Sequence, residues 1–364
     1  MSVTVTSDSV TVDTDGPTAG SVTDSSSTDL DWTKSTSTLT GVWSGFSDAL
    51  SGINKYEYAI GSNAGGTNVV ASTDNTTATS VTKTGLTLAN GITYFISVRA
   101  TDSVGNISTT ATSDGITVDT DVPVISSVLE GAASGDDVDY QNYSDSLTIS
   151  WTGSDAASGI SVYEYALGTT SGGDETINWA SAGTATSDTL TGLNLTEGST
   201  YYLSARGTDI AGNISDVLSG DGITIDLTAP TGTTVNDGIS DDITYTSSDS
   251  TLSANWAAFT DAASGVSKYE VSIGTTIEGT SILDWTDNGI ETTYTKTGLT
   301  LSSGTIYFVN VRATDLAGNI SEPISTNGVT VDTQAPDNIF IFDGLSTEEL
   351  DWTCLLYTSP SPRD

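Results

Sequence analysis

One block of the chain fixes how the rest can fold. Thr84–Ser108, TGLTLANGITYFISVRATDSVGNIS, returns as Thr191–Ser215, TGLNLTEGSTYYLSARGTDIAGNIS, and again as Thr297–Ser321, TGLTLSSGTIYFVNVRATDLAGNIS. The matched aspartates Asp102, Asp209 and Asp315 lie 107 and then 106 residues apart. A fixed period marks a tandem array, and units of this length are ordinary domains, each able to bury its own core.

Within the block, Tyr94, Ile96, Val98 and Ala100 alternate with Phe95, Ser97, Arg99 and Thr101. Alternation with period two predicts a half-buried antiparallel strand. Tyr201, Leu203 and Ala205 keep the pattern in the second copy, and Tyr307, Val309, Val311 and Ala313 in the third. Leu88, Leu195 and Leu301 each precede a tyrosine by six residues, with Gly91, Gly198 or Gly304 between. That spacing resembles the tyrosine corner of Greek-key sandwiches. The T-D-x-x-G-N-I-S tail supplies Asp, Gly and Asn, the residues of a tight hairpin turn.

The rest of each repeat is also strand and turn. Pro17, Pro123, Pro230 and Pro336 punctuate the joins, and a strand then ends in Trp43, Trp151 or Trp256. Asp48, Asp155 and Asp261 open a loop closed by Ser51-Gly52, Ser158-Gly159 and Ser264-Gly265. Further strands start at Tyr56, Tyr163 and Tyr269, and G-I-T-V-D-T closes a domain. About seven strands with turn signals and no helical period predict an all-β sandwich.

The Trp strand, the Tyr-x-Tyr/Val strand, the corner and V-R-A-x-D resemble fibronectin type III modules. The T-D-x-A-G-N-x-S … V-D-T-x-A-P ending is similar to bacterial Ig-like repeats of giant secreted adhesins. The resemblance covers roughly residues 18–335. It implies a tandem array of three seven-stranded Ig-like β-sandwiches, at 18–122, 123–229 and 230–335. The first-strand region is longer and more acidic than the pattern, and Leu227 replaces the Thr of V-D-T. Residues 1–17 match the end of a preceding repeat and 336–353 the start of a following one, so the chain reads as a piece of a longer array. Residues 354–364, CLLYTSPSPRD, look like the translated frame of a sequencing-library adapter and are set aside from the fold.

With 47 acidic and 9 basic residues the net charge is −38, and histidine is absent. That excess argues against nucleic acid or an anionic membrane as partner and favours cations. Ser-His-Asp and Cys-His chemistry and histidine metal sites are excluded. The one cysteine, Cys354, falls in the adapter-like tail, so the sandwiches must stand without disulfides. Acidic pairs repeated three times do not read as one specialised glycosidase site. The fragment is expected not to be an enzyme.

Three sets of side chains carry the functional reading. Arg99, Arg206 and Arg312 face Glu57, Glu164 and Glu270 across neighbouring strands, either as structural ion pairs or as ligand-binding arginines. Trp179 and Trp285, sixteen residues after Tyr163 and Tyr269, serve either as sugar-stacking platforms or as cover for a sheet edge, and Ser72 takes that place in the first repeat. The family topology brings the closing aspartates of one repeat to the loops of the next. The first join groups Asp13, Asp15, Asp48, Asp102 and Asn106. The second groups Asp119, Asp121, Asp155, Asp209 and Asn213, and the third Asp226, Asp261, Asp315 and Asn319. Oxygen-only clusters rich in carboxylate suit Ca2+, while the alternative is solvated turn residues. The expected function is a stalk or adhesive rod of a secreted or cell-surface bacterial protein, calcium-stiffened at its joins, with a protein or glycan as surface ligand. The alternative is an accessory carbohydrate-binding region of an extracellular enzyme.

Overall fold

The computed structural model describes residues 8–26, 28–131 and 137–336. The adapter-like tail, and all but the first residue of the expected truncated repeat at 336–353, lie outside the described residues. In the first repeat the strands are β1 (Ser21–Thr23), β2 (Trp32–Thr33), β3 (Thr38–Ser44), β4 (Ile53–Gly61), β5 (Val70–Asp74), β6 (Ser80–Thr84), β7 (Thr93–Asp102), β8 (Ala111–Thr112) and β9 (Ile116–Val118). One sheet has the order β1-β3-β6; the other runs β2-β9-β7-β4-β5, with β8 also paired to β7. The second and third repeats repeat this order, from Val124–Glu130 to Ile223–Ile225 and from Val235–Asp237 to Val329–Val331. No helix is long and apolar enough to cross a membrane among the described residues.

The alternation read from sequence decides which side chains enter the core. Tyr94, Ile96, Val98 and Ala100 are all buried, as are their counterparts in the other repeats. Three separate cores result, one per repeat. Each is centred on its tryptophan: Trp43 meets Tyr56 edge-on at 5.8 Å, Trp151 lies 5.5 Å from Tyr165, and Trp256 lies 5.5 Å from Tyr269. The corner forms as expected. Ala89, Thr196 and Ser302 donate their N–H groups to the hydroxyls of Tyr94, Tyr201 and Tyr307 at 2.9, 3.0 and 2.9 Å. Leu88, Leu195 and Leu301 are buried beside them.

The first and last strands depart from a simple seven-strand reading, because each is broken in two. β1 belongs to the small sheet, whereas β2 pairs in parallel with β9 in the large one. β8 and β9 are separated at Gly115, whose φ of +107° is open to glycine and costly for other residues. The Asp24 carboxylate receives the Gly115 N–H at 2.9 Å, so the two breaks are tied together.

The chain divides into two compact units. The first holds repeats one and two to Thr228, together with Ala262–Ser264 and Leu316–Asn319; the second holds the remainder of repeat three.

Candidate metal centre

Each join-facing loop is built by an aspartate that gathers backbone N–H groups. Asp48 Oδ1 accepts from Ser51 and Gly52, both at 2.7 Å, and from Leu50 at 3.2 Å. Asp102 Oδ1, at the end of β7, accepts from Val104, Gly105 and Asn106 at 2.9, 2.6 and 2.8 Å. Burial opposes ionisation of Asp102, but bonds from the Asn106 side chain and from these backbone N–H groups hold its pKa below the ordinary carboxylate value. Asp155 Oδ1 likewise accepts from Gly159 at 2.8 Å, and Asp209 Oδ1 from Asn213 at 2.7 Å.

Between these loops comes the closing aspartate of the preceding repeat. One oxygen each from Asp13, Asp48 and Asp102 lies within 4.8 Å of the others, and the same holds for Asp119, Asp155 and Asp209. Asp102, Asp119 and Asp209 are buried. The asparagines staple the join: Asn213 Nδ2 donates to the Asp119 carbonyl at 2.9 Å and to Asp209 Oδ2 at 2.8 Å. Asn106 Nδ2 reaches Asp102 Oδ2 at 2.8 Å and the Asp13 and Asp15 carbonyls at 3.3 Å. Asp15 and Asp121 lie outside the triplets. Asp15 is exposed, and Asp121 Oδ2 instead accepts from Asn90 Nδ2 at 2.9 Å. Residues of the third expected set are divided between the two compact units. In the first unit Asp226 Oδ1 accepts from Thr228 N–H at 3.1 Å. In the second, Asp261 Oδ1 accepts from Gly265 N–H at 2.7 Å, and the carbonyl of Asp315 accepts from the Ser267 hydroxyl at 2.9 Å. Asn319 falls in the short Leu316–Asn319 segment that belongs with the first unit. The donor chemistry, carboxylates held with their backs bonded, fits a hard cation such as Ca2+.

The arginines are paired. Glu57, Glu164 and Glu270 stand directly across from Arg99, Arg206 and Arg312, with Nε–Oε2 distances of 3.2, 2.9 and 2.9 Å. Trp179 and Trp285 complete these pairs. The Arg206 guanidinium lies 4.3 Å from the Trp179 ring centroid, and that of Arg312 lies 4.4 Å from Trp285. Each indole thus has one face covered by a cation. In the first repeat Arg99 reaches the Ser72 hydroxyl at 3.4 Å instead.

Sequence reasoning missed a buried acid at the end of each first strand: Asp24, Glu130 and Asp237. The signal was present, since these residues recur 106 and then 107 positions apart. Burial pushes their pKa values up to about 6, about 7 and about 6, against hydrogen bonds that pull them down. For Asp237 those bonds come from the Thr326 hydroxyl and the Gly328 N–H, with nearby Asp242 raising the value further. The folded state therefore holds this proton more tightly than the unfolded chain does. Its stabilisation is full below the unfolded pKa near 4 and is lost as pH rises through about 6. In chelator, the repeat-three unfolding transition should be more stable at pH 4.5 than at pH 7.5 by on the order of 2 kcal/mol from this group. Asp237→Asn should remove that portion of the pH dependence in calorimetric melts. An unchanged slope would mean that Asp237 titrates normally.

No family model matches the chain. The arrangement of strands nevertheless decides the fold, because the strand after β4 pairs with β4 itself and leaves the first sheet with three strands. The fold is that of tandem fibronectin type III repeats. Among curated proteins, the chain is 36% identical over 340 residues to Exoglucanase A of Cellulomonas fimi, covering 88% of this chain and 32% of that protein. It is 30% identical over 272 residues to Exoglucanase B of the same organism, covering 71% of this chain and 22% of that protein. The chain therefore spans about a fifth to a third of the length of those proteins. Among solved structures, the fibronectin(III)-like modules of Clostridium thermocellum CbhA match 56% of this chain and 94% of theirs, at 18% identity and a TM-score of 0.34.

Proposed function

We propose that this chain is a non-catalytic spacer region of a secreted polysaccharide-degrading protein, with calcium setting the joins between its repeats. The enzyme-associated reading is supported by identity to two exoglucanases over most of this chain. The carboxylate triplets Asp13, Asp48, Asp102 and Asp119, Asp155, Asp209 carry the calcium part. Three carboxylates within one ligand shell repel one another, and backbone N–H groups offset only part of that charge. A cation held by those oxygens neutralises the rest and resists separation of the repeats. Arginine stacking on one face of Trp179 and Trp285 supports a structural use of these indoles over sugar binding.

Thermal melts of the whole chain with calcium and with excess chelator test the first point. At free calcium about ten times Kd, each filled site adds about 1.4 kcal/mol to the folded state. Asp119→Asn with Asp209→Asn should abolish the part of the melting shift that belongs to the second join. Identical melts with and without calcium would overturn the cation reading. Co-sedimentation with cellulose and chitin tests the second point: a spacer stays in the supernatant. Retention that disappears in Trp179→Ala with Trp285→Ala would make the chain a carbohydrate-binding region instead.

A further inference from the structure

A different set of carboxylates lies inside single repeats, where the first strand ends and the last strand breaks. In repeat one, Asp24 sits at the end of β1, Asp29 in the following loop and Asp114 between β8 and β9. One oxygen from each lies within 4.8 Å of the others, and Glu130, Asp137 and Asp221 form the same triplet in repeat two. We propose that repeats one and two each bind one divalent cation of the calcium class at this position, independently of any ion at the joins.

The buried corner of each triplet is the first observation that points to a ligand. Asp24 and Glu130 are 2% and 1% exposed. One oxygen of each is anchored, Asp24 Oδ2 by Gly115 N–H at 2.9 Å and Glu130 Oε1 by Leu203 N–H at 2.8 Å. The other, Asp24 Oδ1 or Glu130 Oε2, is buried with no hydrogen-bond donor. The second acid is positioned by the first: Asp29 Oδ1 accepts from Asp24 N–H at 2.9 Å, and Asp137 Oδ1 from Glu130 N–H at 3.2 Å. An anchored carboxylate with one oxygen left unpartnered, beside two further carboxylates, is a cation ligand set. Calcium–oxygen distances of about 2.3–2.6 Å allow two ligand atoms to lie up to about 5 Å apart across one ion, and these oxygens fall within 4.8 Å of one another.

Repeat three has two acids and an amide at the same place. Asp237 and Asp242 correspond to Asp24 and Asp29, again joined by a 3.0 Å bond from Asp237 N–H. Where the third acid stands in the other repeats, repeat three has Asn327, whose Nδ2 donates to Asp242 Oδ2 at 2.9 Å. Repeat three thus keeps the same buried unpartnered oxygen, on Asp237 Oδ1, with an amide in place of the third carboxylate beside it. In repeats one and two the second and third acids are exposed, so an ion from solvent reaches the buried oxygen directly at millimolar calcium.

The test is calcium stoichiometry of the whole chain, by equilibrium dialysis at pH 7.5 and about 5 mM free calcium, above the affinity typical of extracellular sites. Asp114→Asn with Asp221→Asn, which copies repeat three, should lower bound calcium by two ions per chain. Asn327→Asp should raise it by one. The join variant Asp119→Asn with Asp209→Asn should leave these two ions in place, so failure at the joins is read separately. Unchanged stoichiometry in the first variant, or no calcium bound by the wild type, overturns the proposal. If that variant does not fold by near-ultraviolet circular dichroism, the Asn327→Asp variant decides: a gained ion supports the site, and no gain overturns it.

Discussion

Trp151→Ala should unfold repeat two at a cost of about 3–5 kcal/mol, a large part of the stability of a domain this size. The indole is 1% exposed and packs against Tyr163 and Tyr165 in the middle of a closed core. Its Nε1 has no hydrogen-bond partner, so the loss is one of packing and apolar burial alone. Trp151→Phe should therefore recover more than half of it, since an aromatic ring of smaller volume can still fill most of the space. Differential scanning calorimetry of the whole chain checks this. The transition of repeat two should fall well below the others, and the transition of repeat three, with its own core, should stay within about a degree of wild type. A loss below about 1.5 kcal/mol would mean that the core collapses around the gap and does not depend on this ring.

Gly220→Ser should destabilise repeat two by about 1–3 kcal/mol, and Glu130→Asp in the same molecule should return most of the loss. Repeats one and three carry an aspartate at the end of the first strand and a hydroxyl residue in the last: Asp24 with Ser113 and Asp237 with Thr326. Those hydroxyls accept the N–H of Ile96 at 3.0 Å and of Val309 at 3.1 Å. In repeat two the hydroxyl residue is replaced by Gly220, and the longer Glu130 reaches over to accept the equivalent N–H of Leu203 directly. A Cβ on Gly220 would run into the Glu130 carboxylate. One methylene on the acid and one side chain on the last strand thus exchange places. Single Glu130→Asp should also lose stability, because the Leu203 N–H is left buried without its acceptor. Urea melts of the four members of the cycle measure the coupling; additive losses would show that the two positions do not compete for this space.

Much of this molecule is legible in its sequence. The period located the repeats, and the alternation around Tyr94, Tyr201 and Tyr307 gave the buried face of the longest strand. Leu88 and Gly91 announced the corner, and the facing positions of Glu57 and Arg99 announced the ion pair. These are local properties: strand periodicity and turn chemistry act over a few residues, and a repeated sequence states them three times. The closing aspartates were expected beside the next loops; Asp13 and Asp119 lie within such triplets, whereas Asp15 and Asp121 lie outside them.

What only the tertiary structure decided involves partners far apart in sequence. Asp24 meets Gly115, Arg206 covers Trp179, and Glu130 substitutes for a side chain missing at Gly220, all through contacts between strands of a closed sandwich. An acid in a serine- and aspartate-rich stretch looks like a solvated turn residue in the sequence. It becomes a buried one because the first strand crosses between sheets at that point and carries the carboxylate into the break of the last. Burial then sets its chemistry, raising its affinity for a proton, and burial is a property of the packed domain, absent from the local pattern of residues.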